Sequence, residues 1–272
     1  MQRLLGLGSL AMVALGCLPE ETRQEPGVLA VSVRTAPGSL EPAGLVTDDG
    51  WTLRFERFIV ALGNAELAGD DCEAYGESGY ARVLDMTNAE LQPLSQSFGL
   101  GRCDLDLRLS GPRWDSLLGS GVGLEVAALL ASPGTDTVRD DAPVSIHVEG
   151  RADQGSSLKR FAWSFRAEID YEACRVAAAE GGFRPLQLRS GQRLSSELAF
   201  HPEALFRDDE QVLFASFAAA DDSNDADDDI TLVELATSPA LFEQLYFARL
   251  PALVQLPNGR CTAHVNREAD ER

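Results

Sequence analysis

The chain has 272 residues, which is enough for one large domain or two small ones with a sizeable hydrophobic core. It contains 43 acidic and 23 basic residues. The resulting formal net charge of −20 excludes a general nucleic-acid-binding protein, because no basic surplus is present to neutralise phosphates. A hydrophobic content of 44% with 12 phenylalanines predicts a folded globular chain rather than a disordered one.

The N-terminal segment has the features of a targeting signal. Arg3 precedes an apolar stretch that runs from Leu4 to Leu15. As a helix this stretch would span about 18 Å at ~1.5 Å per residue, which is too short for the ~30 Å hydrocarbon core of a bilayer. Residues 1–16 are therefore predicted to be a signal peptide and not a membrane span of the mature protein.

The end of this segment indicates a lipid anchor. The residues Ala14-Leu15-Gly16-Cys17 resemble the lipobox of bacterial lipoproteins. The resemblance implies cleavage before Cys17 and attachment of lipid to its sulfur and its new amino group, so that the protein is held at a membrane. Leu18, rather than an aspartate, follows the cysteine and favours the outer membrane, and residues 17–27 are predicted to be the anchor and a polar tether. Ordinary signal cleavage near Cys17, without lipid, is the alternative.

The remaining cysteines predict two disulfide bonds. Cys72, Cys103, Cys174 and Cys261 form an even set in an exported chain, and four cysteines allow three connectivities. We favour Cys72–Cys103, which joins neighbouring segments, and Cys174–Cys261, which ties the C-terminal segment of residues 251–272 back to the middle of the chain. The absence of a CxxC pair argues against a thioredoxin-type or zinc-ribbon site.

Alternation of apolar and polar residues dominates positions 28–200. The segments that carry this alternation are 28–34, 53–62, 105–109, 144–148 and 161–165, and a further candidate ends at Phe200. Turn signals such as Pro37-Gly38 and Gly181-Gly182 separate them, and strands do not alternate with helices. We therefore predict a mainly β fold, specifically an antiparallel β-sandwich.

Residues 201–250 have helical periodicity instead. One helix is predicted over Glu210–Ala220 and a second over Thr231–Ala236. A third begins at Ser238-Pro239, where a polar residue is followed by a proline suited to the first helical position. The sequence thus predicts a β domain followed by a C-terminal helical segment.

The loop between the first two of these helices is strongly acidic. Six aspartates fall within residues 221–229, an apolar helix precedes them, and Ile230 to Leu235 follow. This order resembles the helix–loop–helix of an EF-hand. The resemblance implies a Ca²⁺ site, because Ca²⁺ takes six to eight oxygen ligands and closely spaced carboxylates supply them.

Placing Ile230 at the eighth loop position assigns the EF-hand roles. The implied ligands are Asp225 (third), Asp227 (fifth), Asp229 through its carbonyl (seventh), Thr231 (ninth) and Glu234 (twelfth). Two positions depart from the pattern, since Ser223 falls first and Asp228 takes the sixth place, where EF-hands have glycine. Asp221 or Asp222 becomes the first ligand if one or two residues are inserted in the loop. An isolated loop of this kind is expected to bind Ca²⁺ with a Kd of about 10⁻⁴–10⁻³ M.

Two interpretations of this loop need no metal. Thr231-Leu-Val-Glu234 is also a capping box that starts a helix, and runs of aspartate commonly form solvated loops. Against them, carboxylates ~4 Å apart repel by about 1 kcal/mol per pair even in bulk water, and a divalent cation relieves that repulsion.

These features predict an envelope-anchored, calcium-binding lipoprotein that acts as a binding module rather than an enzyme. Its partners would be the membrane, through the lipid, and an envelope protein or ligand. The order of an aromatic strand, Tyr171-x-x-Cys174, His201 and the acidic loop is similar to that in a group of uncharacterised bacterial lipoproteins, and this similarity implies no activity. Two alternatives remain open. One is a secreted hydrolase that uses paired carboxylates, and the other is a copper- or zinc-handling protein that uses His147, His201 and His264.

Overall fold

The computed structural model of the chain describes residues 24–40, 43–76, 80–131, 143–222 and 227–266. The protein is mainly β, with 50% strand and 18% helix. The predicted signal peptide and Cys17 lie outside the described residues. No helix among those described has the length and hydropathy needed to cross a bilayer.

The described residues form eighteen strands and four α-helices. The strands are β1 (Gly27–Thr35), β2 (Leu45–Val46), β3 (Thr52–Ala68), β4 (Cys72–Ala74), β5 (Ala81–Asp85), β6 (Gln92–Leu109), β7 (Leu117–Leu118), β8 (Ile146–Gln154), β9 (Ser157–Phe165), β10 (Ile169–Ala177), β11 (Phe183–Arg184), β12 (Leu186–Leu188), β13 (Arg193–Phe200), β14 (Arg207–Asp208), β15 (Gln211–Val212), β16 (Asp229–Ile230), β17 (Val254–Gln255) and β18 (Gly259–Val265). The helices are α1 (Leu124–Ala131), α2 (Ala215–Asp222), α3 (Leu232–Ala236) and α4 (Pro239–Gln244). A π-helical turn (Leu245–Arg249) extends α4, and 3₁₀ turns span Pro202–Phe206 and Leu250–Leu253.

Sixteen strands belong to one curled, mixed sheet, and the predicted antiparallel sandwich is not confirmed. The first half of β6 pairs with β1, and its second half pairs with β3 and β10, so one long strand serves both parts of the sheet. Gly101 lies between the two halves with φ +98°, and a Cβ there would lie 2.0 Å from the carbonyl oxygen of Asp71. Only glycine fits at this point of β6, because the φ is left-handed and the Asp71 carbonyl leaves no room for a Cβ. The pairs β1–β13, β5–β7 and β9–β16 are parallel.

The predicted alternation is present in the strands that form the core. Along β9, Phe161, Trp163 and Phe165 are buried and the residues between them are more exposed. Trp163 stacks on Phe161 at 4.8 Å between ring centroids and on Phe217 of α2 at 5.4 Å. This aromatic cluster packs α2, which precedes the acidic loop, against the sheet.

Both disulfide bonds have the pairing predicted from the sequence. Cys72–Cys103 joins β4 to β6 and closes a separation of 31 residues. Cys174–Cys261 joins β10 to β18 and closes a separation of 87 residues, which ties the C-terminal strand to the sheet.

The helical segment differs from the prediction at its start. The helix predicted over Glu210–Ala220 begins only at Ala215, because Gln211–Val212 pairs with Arg207–Asp208 as a short hairpin. Asp49 Oδ2 accepts hydrogen bonds from the backbone N–H groups of Phe214 and Ala215, at 2.8 and 2.7 Å, and so caps the helix from a distant part of the chain. The proline start of α4 is confirmed.

Candidate divalent-cation site

The helix α2 carries a carboxylate into the interior at its C-terminal end. Asp221 follows Phe217 by four residues, so the two side chains share a helix face, and Asp221 is 0% exposed. Its Oδ2 accepts a hydrogen bond from Lys159 Nζ. Its Oδ1 is buried and has no hydrogen-bond partner among the described residues. This second oxygen of Asp221 is therefore positioned to bind a cation or to accept a hydrogen bond.

Two more carboxylates meet Asp221. One oxygen from each of Asp221, Asp227 and Glu234 lies within 4.8 Å of the other two, and we call this group the acidic site. Ligands of Ca²⁺ lie about 2.3–2.6 Å from the ion, so oxygens on opposite sides of one ion are at most about 5 Å apart. The spacing is compatible with a single cation. It also agrees with the version of the EF-hand assignment in which Asp221 supplies the first ligand.

The backbone of the loop has an EF-hand-like conformation at the sixth position, where the sequence departs most from the EF-hand pattern. Asp228 has φ +71°, in the left-handed region that favours glycine, and it occupies the place of the EF-hand glycine. The backbone N–H of Asp229 donates to Asp227 Oδ1 at 2.9 Å. The turn therefore has the conformation that the glycine normally provides, although the residue is an aspartate.

The loop is held on the sheet by β16 and by a tryptophan. Asp229 and Ile230 pair in parallel with Arg160 and Phe161 of β9. The indole N–H of Trp163 donates to the carbonyl oxygen of Ile230 at 2.8 Å. These contacts fix the orientation of the residues that follow, including Glu234.

The capping-box interpretation is confirmed. The backbone N–H of Glu234 donates to Thr231 Oγ1 at 3.2 Å, and the backbone N–H of Thr231 donates to Glu234 Oε2 at 2.6 Å. Glu234 is buried and belongs to the acidic site as well. Capping and cation binding therefore do not exclude each other.

The other predicted ligands have different surroundings. The carboxylate of Asp229 is exposed and accepts from Arg160 Nε at 2.9 Å, which leaves only its carbonyl for the predicted role. The Thr231 hydroxyl donates to Glu234 Oε2 at 2.9 Å. Asp225 and Ser223 lie outside the described residues, and so does the side chain of Asp222.

The sequence pattern predicts no role for Lys159, which contacts the acidic site. It is the only lysine of the chain, it is 5% exposed, and it bonds Asp221 and also Asp228 at 3.2 Å. A signal was present, because Lys159 has the same alternation as Phe161 and Trp163 and so points to the core side of β9. Lys159 and Arg160 therefore neutralise part of the negative charge of the loop, whereas the sequence analysis expected a metal ion alone to do so.

The three histidines do not form one group in the described structure. His147 Nε2 lies 2.8 Å from Glu149 Oε1, and His201 Nδ1 lies 2.8 Å from Glu203 Oε1. His264 lies instead with Asp170 and Glu172 on neighbouring strands. The geometry therefore gives no support to a three-histidine copper or zinc site.

The contact between His201 and Glu203 leads to a prediction on stability. Burial raises the pKa of Glu203, but hydrogen bonds from His201 and from Ser39 Oγ, the latter at 2.6 Å, together lower it by more. The net pKa of Glu203 is therefore below the usual 4.5. A carboxylate whose pKa falls on folding stabilises the protein above its unfolded pKa, and this stabilisation is lost as the pH falls through the folded pKa. We expect Glu203→Gln to destabilise the protein at neutral pH, by an amount that shrinks as the pH falls from about 5 to about 3.

Urea unfolding at a series of pH values measures this difference. Glu197→Gln is the control, because it removes a partly exposed carboxylate paired with Arg34 and should have a small effect throughout. A Glu203→Gln effect that is constant or grows on acidification would contradict the prediction.

Comparison with known proteins identifies no relative: no protein-family model, curated protein or solved structure matches the chain.

Proposed function

We propose that this protein is an envelope-anchored lipoprotein whose folded domain binds a structural Ca²⁺ at the acidic site. The observation that carries the proposal is the convergence of Asp221, Asp227 and Glu234 within 4.8 Å, with a buried Asp221 oxygen that has no hydrogen-bond partner in the part of the chain that the structure describes. A hard divalent cation satisfies such an oxygen and offsets the repulsion of the neighbouring carboxylates.

The role of the ion would be to order residues 221–234 against the sheet. Its ligands come from the end of α2, from the loop and from the first turn of α3. A bound ion would therefore join these three elements. The ordered surface would serve as a binding module for an envelope protein or ligand, without catalysis. The resemblance of residues 14–17 to a lipobox supports anchoring through Cys17, with the outer membrane as the favoured location.

Thermal and urea unfolding of the exported chain, with Ca²⁺ or with a chelator, tests the metal site. At a Kd of about 10⁻⁴–10⁻³ M, ~10 mM Ca²⁺ is about 10–100 times Kd and raises the free energy of unfolding by about 1.4–2.7 kcal/mol. Asp227→Asn should abolish this increase, because it removes a charged ligand from the acidic site.

Asp229→Asn is the matched control. It removes the charge of an exposed aspartate two residues further on, whose side chain bonds Arg160 and whose proposed ligand atom is the backbone carbonyl. This variant should keep the response to Ca²⁺. Equal stability of the wild type in Ca²⁺ and in chelator would overturn the proposal.

A further inference from the structure

A histidine and two carboxylates meet on one face of the β10–β18 pair. Ligand atoms of Asp170, Glu172 and His264 lie within 4.8 Å of one another, and we call this group the histidine site. Asp170 is 8% exposed, whereas the other two residues are exposed. The acidic site is built from α2, the loop and α3, so the two groups belong to different elements of the fold.

Antiparallel pairing of β10 with β18 brings the three residues together. Asp170 is directly opposite His264 in the register, and directly opposed residues have Cβ atoms about 4.5–5.5 Å apart. Glu172 follows Asp170 by two positions on β10 and therefore lies on the same face. The disulfide Cys174–Cys261 joins these two strands, so the backbone that carries the three side chains is crosslinked.

Asp170 is oriented by a neighbour that leaves one of its oxygens available. Arg108 of β6 lies opposite Asp170, and its Nε donates to Asp170 Oδ1. The second oxygen, Oδ2, has a long contact of 3.4 Å with Asn266 Nδ2. Carboxylates that bind a metal are commonly held by hydrogen bonds of this kind. Arg108 therefore fixes the Asp170 carboxylate while Oδ2 remains able to bind an ion.

The spacing of the three groups is closer to that of ligands around an ion than to that of a direct contact. Within the described part of the chain, His264 forms no ion pair with either carboxylate, although the three ligand atoms lie within 4.8 Å. Tetrahedral Zn²⁺ has ligands at about 2.0–2.2 Å, which places them about 3.3–3.6 Å from one another. The exposed side chains of Glu172 and His264 can reach this spacing by rotation, because the fold does not enclose them.

We infer that Asp170, Glu172 and His264 bind Zn²⁺. Imidazole nitrogens and carboxylate oxygens are both ligands of Zn²⁺, whereas Ca²⁺ takes oxygen ligands. The histidine therefore distinguishes this site from the acidic site, which consists of carboxylates alone. Three protein ligands leave the fourth position of a tetrahedral zinc to water or to a bound molecule. This site is independent of the proposed calcium site and uses one histidine only.

Isothermal titration calorimetry of the exported chain with Zn²⁺ tests the inference. The protein is first freed of metal with a chelator and then kept in excess Ca²⁺, so that Zn²⁺ does not occupy the acidic site. We expect saturable binding of one Zn²⁺ per chain. His264→Gln should weaken this binding at least about tenfold, because even the loss of a group that only orients a ligand costs about 10–100-fold in metal affinity.

Two outcomes of this titration would overturn the inference. One is the absence of saturable Zn²⁺ binding by the wild type, and the other is an unchanged affinity in His264→Gln. Because His264 is exposed, this variant should fold as the wild type does, and circular dichroism checks that it does.

Two control variants identify the site that is titrated. Asp227→Asn removes a carboxylate of the acidic site and should leave the affinity for Zn²⁺ unchanged. His201→Gln removes another histidine that contacts a carboxylate, that of Glu203, and should also bind Zn²⁺ as the wild type does. Loss of Zn²⁺ binding in either control would assign the ion to another site and overturn the inference. A failure of the calcium proposal leaves all of these expected results unchanged.

Discussion

Replacing Trp163 by alanine is expected to lower the free energy of unfolding by about 3–5 kcal/mol, the range for truncating a buried large aromatic side chain. Trp163 is fully buried and its ring contacts Phe161, Phe165, Phe206 and Phe217, with centroids 4.8 to 6.4 Å away. The substitution also removes the donor to the Ile230 carbonyl oxygen, so it weakens the attachment of the acidic loop.

Two further tryptophan variants separate these effects. Trp163→Phe keeps most of the ring contacts but leaves the Ile230 carbonyl without its donor, and we expect a smaller loss of about 1–3 kcal/mol. Trp114→Ala is the control, because Trp114 is 94% exposed and its loss should change stability by less than about 0.5 kcal/mol. Urea unfolding followed by circular dichroism measures all three. A similar loss of unfolding free energy in Trp163→Ala and Trp114→Ala would contradict the placement of Trp163 in the hydrophobic core.

Removal of the Cys174–Cys261 disulfide by a double serine substitution is expected to destabilise the protein more than removal of Cys72–Cys103. The two bonds close separations of 87 and 31 residues. In the chain-entropy model, loops of these lengths correspond to stabilisation of about 4.6 and about 3.7 kcal/mol. Each bond thus serves as the control for the other.

The comparison is made by urea unfolding of the two double variants under identical conditions. The expected order follows from the larger conformational freedom that the unfolded chain regains when the longer loop is opened. Equal or reversed losses would show that local packing around the cysteines outweighs loop entropy.

Features that depend on near neighbours in the chain are correctly predicted from the sequence. The alternation of β9 identifies a strand with one buried face, since side-chain direction follows a period of two. The spacing of Thr231 and Glu234 identifies a capping box, because its two hydrogen bonds join residues three positions apart. The proline start of α4 is local for the same reason.

Apart from the two disulfide pairings, features that depend on distant residues are missed or only partly predicted. The helix predicted from Glu210 begins only at Ala215, because Gln211–Val212 forms a short hairpin before it and Asp49 caps it from a distant part of the chain. The long strand β6 joins both parts of the sheet, because its first half pairs with β1 and its second half with β3, whereas the sequence pattern favours a sandwich. Strand alternation contains no information on which strand lies beside which, so sheet continuity cannot be derived from it.

The candidate site likewise has features that the sequence predicts and others that only the tertiary structure determines. Composition and spacing alone reveal the crowded aspartates, Glu234 and the EF-hand-like order, because these are properties of one short segment. Only the folded chain selects Asp221 as the carboxylate that meets Asp227 and Glu234, and only the fold brings Lys159 to it from 62 residues away. Periodicity and capping arise from contacts within a few residues, whereas the meeting of charged groups depends on how β9, α2 and the loop pack together.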